Sequence, residues 1–136
     1  MNQREVKTMG KSVHNDVLDA ALSYISGNAD GISVCETEPT SYAEATTNKG
    51  GGGNKLAATT PSFTGPADGD TSGRKVTSDQ KTGVSVDVTG DADHVALTDS
   101  GNTKLLYVTT CTQQTLTSGN TVTIPAWDIE IADPTP

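Results

Sequence analysis

Lys75-Val76-Thr77, Val84-Ser85-Val86-Asp87-Val88, His94-Val95-Ala96-Leu97-Thr98, Leu105-Leu106-Tyr107-Val108-Thr109-Thr110-Cys111, Thr121-Val122-Thr123-Ile124 and Trp127-Asp128-Ile129-Glu130-Ile131 follow one another through the second half of this chain. Each run alternates apolar with polar residues, and Gly, Asn, Asp or Ser separates it from the next. A period of two places every second side chain on one face, so these runs predict antiparallel strands with one buried and one wet face. Asp99-Ser100-Gly101-Asn102 and Ser118-Gly119-Asn120 have the residues of hairpin turns. Trp127, Ile129 and Ile131 fall on one face and are expected in the core. Asp128 and Glu130 fall on the other.

Working back from these strands, the first half is different in kind. Residues 1–11 are polar, of mixed charge and without periodicity, and are expected to be a flexible arm. Val17, Leu18, Ala21, Leu22, Tyr24 and Ile25 lie at helical spacing. Ser12 or Asn15 can cap that helix, Asp16 and Asp19 suit its positive end, and Gly27-Asn28 stops it. Ile32-Ser33-Val34-Cys35 reads as a strand ended by Pro39. Ser41-Tyr42-Ala43-Glu44 has the capping-box pattern of a short helical turn. Asn48 to Lys55 contains four consecutive glycines, which lose the most backbone entropy on ordering, so residues 48–55 are expected to be a mobile loop. A strand is expected near Leu56-Ala57-Ala58. The Pro- and Gly-rich stretch that follows has Phe63 as its anchor.

The expected fold is therefore mostly β (α+β): an antiparallel β-sandwich or flattened barrel with one N-terminal amphipathic helix packed on it. A chain of 136 residues suits one domain, here residues 12–136 behind the arm. Its core material is thin, with 32% hydrophobic and 4% aromatic residues. A net charge of −8 disfavours direct nucleic-acid binding, because a line of phosphates would repel it. The chain has no apolar stretch approaching the roughly 20 residues of a membrane helix and no apolar signal-peptide core, so synthesis in a cytoplasm is expected.

Little in the sequence suggests chemistry. Asp68, Asp70 and Ser72, with Gly73 and Asp79, reproduce the spacing of an EF-hand calcium loop. Gly65-Pro66 stands where the entering helix should be, Lys75 stands where an apolar residue should be, and the closing residue is Asp rather than Glu. A solvated acidic turn is the preferred reading, with calcium as the alternative. Cys35 and Cys111 are read as buried thiols, lacking a second Cys or His at ligand spacing. His94 follows Asp91 and Asp93, the pattern of a hydrated turn. Gly-x-Ser-x-Gly does not occur, and Gly50 to Gly53 lead into Asn54-Lys55-Leu56, without the spacing or hydroxyl of a phosphate loop. The expectation is a protein that is not an enzyme and needs no cofactor.

The whole layout resembles a group of small structural proteins of tailed bacteriophages. The resemblance is carried by His14 to Leu22, Val34-Cys35 with Glu38 to Ala45, Gly73-Arg74-Lys75, His94 to Leu97, Leu105 to Cys111, and Ile124 to Ile131. The glycine run is a local departure from it. It implies a virion protein made in the bacterial host cytoplasm. With its acidic charge, the expected role is a decoration (cement) protein on the capsid exterior that bridges subunits of the major capsid protein. Sister copies are a second expected partner. Arg4, Lys7 and Lys11 would be the capsid-contacting residues of the arm. The alternatives are a tail or fibre-tip module that recognises a host surface, and a head-to-tail connector component.

Overall fold

The computed structural model of the chain describes residues 10–135. Helix α1 (Asn15–Asn28) comes first, followed by strand β1 (Gly31–Cys35) and the short helix α2 (Tyr42–Thr46). Eight more strands complete the chain: β2 (Lys55–Thr59), β3 (Phe63–Asp68), β4 (Arg74–Ser78), β5 (Lys81–Ser85), β6 (Gly90–Asp99), β7 (Lys104–Leu116), β8 (Thr121–Ile124) and β9 (Trp127–Ile131). All pairing between them is antiparallel. One sheet has the order β2-β1-β6-β7, a second β3-β4-β9, and β5 pairs with β8. A single bridge between Ala57 and Val86 joins the β5–β8 ribbon to β2. The mostly β, sandwich-like fold with one N-terminal helix matches the expectation from the alternating runs.

One core unites these layers. Leu22 of α1 shares one buried cluster with Ile32 and Val34 of β1, Leu56 of β2, Val76 of β4, Leu97 of β6, Leu116 of β7 and Ile129 of β9. β1 and β6 are central, and their other face is covered as well, with Ser33, Cys35 and Ala96 buried beside the core positions. α2 packs against β1, β2, β6 and β7, and Ala45 is its buried residue. Central strands covered on both faces lose the alternating burial that a half-wet sheet would show.

α1 rests on β4 and β3 through a narrower stripe than the spacing predicts. Leu18 and Leu22 are buried and Ile25 packs on the core, whereas Val17 is 59% and Tyr24 47% exposed. Its N-cap is neither Ser12 nor Asn15: His14 takes that position, and its Nδ1 accepts a hydrogen bond from the Asp16 amide. The ring nitrogen does what a hydroxyl or amide oxygen does elsewhere. For α2, Ser41 Oγ accepts from the Glu44 amide as the capping box requires. Glu44 reaches back one residue further, to the Thr40 amide and hydroxyl.

Two stretches differ from the sequence reading. β3 forms within the Pro- and Gly-rich segment, because β4 supplies a pairing partner along Phe63–Asp68. The glycine run is a hydrogen-bonded turn rather than a bare loop tip. The Gly51 amide donates to the Asn48 carbonyl, Lys49 to Lys55, and Lys55 to Thr47. Gly50 and Gly52 have φ of 90° and 97°, and a Cβ on Gly53 would lie 2.0 Å from the Thr47 carbonyl oxygen. Only glycine fits that sequence of conformations.

Candidate functional site

The EF-hand-like spacing resolves into the turn of the β3–β4 hairpin, closed by a hydrogen bond from the Gly69 amide to the Gly73 carbonyl. Its carboxylates do not converge on one point. Asp68 Oδ1 accepts from Arg74 Nη1 at 2.6 Å, and Asp70 Oδ1 from Lys75 Nζ at 2.7 Å. Ser72 Oγ accepts from the Asp133 amide, and Asp79 Oδ1 from the Thr64 hydroxyl. The basic pair that follows the loop thus takes up its acidic residues. Arg74 also grips α1, with Nε 2.8 Å from Asp19 Oδ1 and Nη2 3.3 Å from Asp19 Oδ2. This two-pronged geometry is the strong form of the ion pair and ties the helix to the sheet.

The carboxylates of Asp70, Asp128 and Glu130 are, among the described residues, the group close enough together to share a cation. Lys75 Nζ already stands between Asp70 and Asp128, 3.2 Å from Asp128 Oδ2. Glu130 Oε1 accepts from the Asp70 amide. The Lys75 ammonium bridges two of the three carboxylates, so the cluster reads as an ion-pair network. Trp127 and Ile129 face the core as expected, Trp127 half-buried and stacked on Tyr107 with ring centroids 5.8 Å apart. On the opposite face of β9, Asp128 is half-buried rather than solvated, held by Lys75 and the Thr77 hydroxyl.

The thiols and histidines assemble no catalytic set. Cys35 is buried and Cys111 exposed, both free. Burial pushes the Cys35 thiol up to about 12 and raises Cys111 as well, the opposite of what an activated nucleophile needs. His94 Nδ1 lies 2.7 Å from Asp93 Oδ1, which also accepts from the Thr37 amide. Asp91 accepts from the Thr115 hydroxyl. The stretch read as a hydrated turn is instead the start of β6, because β7 extends far enough to pair with it. Lys11 is exposed at the start of the described chain; Arg4 and Lys7 lie outside the described residues.

Several carboxylates are held below their ordinary range by what they accept. Lys75 lowers Asp70, His94 lowers Asp93, the Ser100 hydroxyl lowers Asp30 and the Thr40 amide lowers Glu44. A depressed folded-state pKa adds stability above the unfolded value, and that stability is lost as pH falls through the folded value. The urea midpoint is therefore expected to hold steady from pH 7 to 5 and to drop below about pH 4, near the ordinary carboxylate values. A midpoint unchanged between pH 6 and 3 would show that these bonds contribute nothing.

What the sequence reading missed is the flank of the sheet at β7. β7 pairs with β6 on one side, and its other edge is unpaired among the described residues. The ladder is interrupted where Ala92 pairs with Gln114 but His94 pairs with Thr110. Three residues of β6 face five of β7, so the bulge turns both strands over. Val95 and Ala92 both reach the core, as do Tyr107 and Leu116, although strict alternation would separate them. From Thr110 to Thr115 every β7 residue is exposed. Beside them, two shallow hollows of about 220 and 200 Å³ share Val95, Cys111, Ile124 and Pro125. They form one groove between β7 and the β8–β9 link, with Trp127 at one end. Each hollow is smaller than a site that encloses a small-molecule ligand.

Comparison with protein-family models, with curated proteins and with solved structures found no match to this chain.

Proposed function

We propose that this chain is a non-enzymatic structural protein whose work is to bind other protein surfaces. The observation that carries this reading is the flank at β7: a strand edge unpaired among the described residues and uncharged from Leu105 to Leu116, on an acidic domain braced by ion pairs. The ion pairs support it too: Arg74 and Lys75 bind Asp19, Asp68, Asp70 and Asp128, and Lys55 binds Asp87.

The finer reading is a decoration protein on the exterior of a phage head, bound to the major capsid protein. The sequence resemblance favours it, and the charge of −8 suits an outer surface better than contact with packaged DNA. Arg4, Lys7 and Lys11 are the proposed capsid contacts. Exposed ion pairs contribute roughly 0–1 kcal/mol each, so the grip must be repeated over many copies.

Counting copies on purified particles is the test. Hundreds per particle are expected for a decoration protein. A handful would place the chain at the tail or connector, and none would reject a virion role. If a variant lacking residues 2–11 still decorates particles at full occupancy and protects them against heat equally well, the arm is not the contact.

A further inference from the structure

From Leu105 to Trp127 the chain carries no charged residue, although it has nine basic and seventeen acidic residues overall. That stretch comprises nearly all of β7, the following turn, β8 and the start of β9, so these strands contribute no charge of their own, although Asp91 of β6 borders them through the Thr115 hydroxyl. The open edge of β7 runs along it. Natural sheets protect such an edge with lysine, proline, short length or a bulge. β7 is 13 residues long, and from Leu105 to Leu116 it has neither lysine nor proline. Its safeguards are two irregularities in its pairing with β6, the bulge opposite Asp93 and a one-residue shift at Leu106 between Leu97 and Thr98. Between Thr110 and Thr115 its side chains are exposed on both faces, an arrangement with little stability of its own.

We propose that this edge is a self-association site, where a second copy of the chain adds its own β7 antiparallel about a two-fold axis. The two β2-β1-β6-β7 sheets then become one continuous sheet. Three observations select a second copy as the occupant. An antiparallel strand is complementary to itself, so a two-fold needs no second surface. A basic partner would find its complement on the acidic remainder of the domain, not on a neutral strand. Two copies of net charge −8 repel elsewhere, and β7 brings no carboxylate of its own to the edge. The nearest are Asp91 and Asp93, one strand inward on β6, with Asp91 bonded to the Thr115 hydroxyl. The bulge limits the ladder, so the buried area is modest and the dissociation constant is on the order of micromolar. The proposal concerns the chain in solution and holds whether or not the protein coats a particle.

Sedimentation velocity of the full chain under reducing conditions, from low micromolar to near-millimolar concentration, should show a reversible dimer. Gln113→Lys and, separately, Thr110→Lys should each weaken it roughly tenfold or more, since like charges across a strand pair are destabilising. Circular dichroism should stay unchanged in both. A nitroxide on Cys111, the exposed thiol, should report an inter-copy distance on the order of 20 Å, because paired strands lie about 4.8 Å apart and the labels add the rest. This measurement decides the matter should either lysine variant unfold. A monomer at every concentration overturns the proposal, as does a dimer whose labels lie far apart. It is equally overturned if deleting residues 2–9 abolishes the dimer while both lysine variants still associate, which would make the N-terminal segment the occupant.

Discussion

Gly73→Ala is expected to destabilise the protein by roughly 2–4 kcal/mol, through two separable terms. Gly73 has φ of 69°, and a Cβ built there would lie 1.9 Å from the Ile131 carbonyl oxygen and 2.8 Å from Ala132 Cα. The left-handed backbone costs a non-glycine residue about 1 kcal/mol, and forcing apart the β4–β9 contact adds about 1–3 kcal/mol. Gly83 separates the terms, since it has φ of 65° with nothing within 4 Å of its would-be Cβ. Gly83→Ala should therefore cost only the backbone term. Urea denaturation of both variants is the measurement. Equal losses at the two positions would mean that the approach of Gly73 to Ile131 does not constrain the fold.

The second large effect is expected at Leu22. It is fully buried and is the α1 side chain inside the core cluster, with Ile25 packed against it. Leu22→Ala should cost about 3 kcal/mol, within the range for removing a buried leucine, and lower Tm by on the order of 10 °C. Val17→Ser, on the exposed side of the same helix, should change stability by less than about 0.5 kcal/mol. If Leu22→Ala proves as mild as Val17→Ser, the helix is not an integral layer of the domain. The Arg74–Asp19 pair would then be its main attachment, which Arg74→Met would reveal by a larger loss than Leu22→Ala.

Both predictions turn on residues whose type was evident in the sequence but whose role was not. Gly73 stood out as a sharp turn within an apparent calcium loop. Its actual constraint comes from Ile131, far along the chain, against which only a glycine fits. Leu22 belonged to an apolar stripe that also included Val17 and Tyr24. Which half of that stripe is buried depends on where β3 and β4 lie, and helical spacing carries no information about that.

The sequence by itself determined the element types. Alternation in the second half located β4, β8 and β9 to within a residue and the centres of β6 and β7, because strand periodicity and turn chemistry are local properties of adjacent residues. β6, however, begins four residues before its run, and β7 ends five residues after its own. The same holds for α1 and for the Ser41 cap of α2. The run at Val84 to Val88 was legible as a strand, although β5 begins earlier, at Lys81, and ends at Ser85.

Tertiary structure alone decided the partners. β1 lies between β2 and β6, and Lys75 meets Asp128 across 53 positions of sequence. Such pairings are set by which faces can be buried together, and that is a property of the whole chain. The acidic spacing from Asp68 to Asp79 was therefore a poor guide: Arg74, Lys75 and Thr64 took its carboxylates before they could converge. The bulge at Ala92–His94 against Thr110–Gln114 was equally hidden, since it arises from two strands of unequal local length. That bulge and the missing neighbour of β7 create the neutral open edge, and an unpaired edge can be recognised only once every strand has its place.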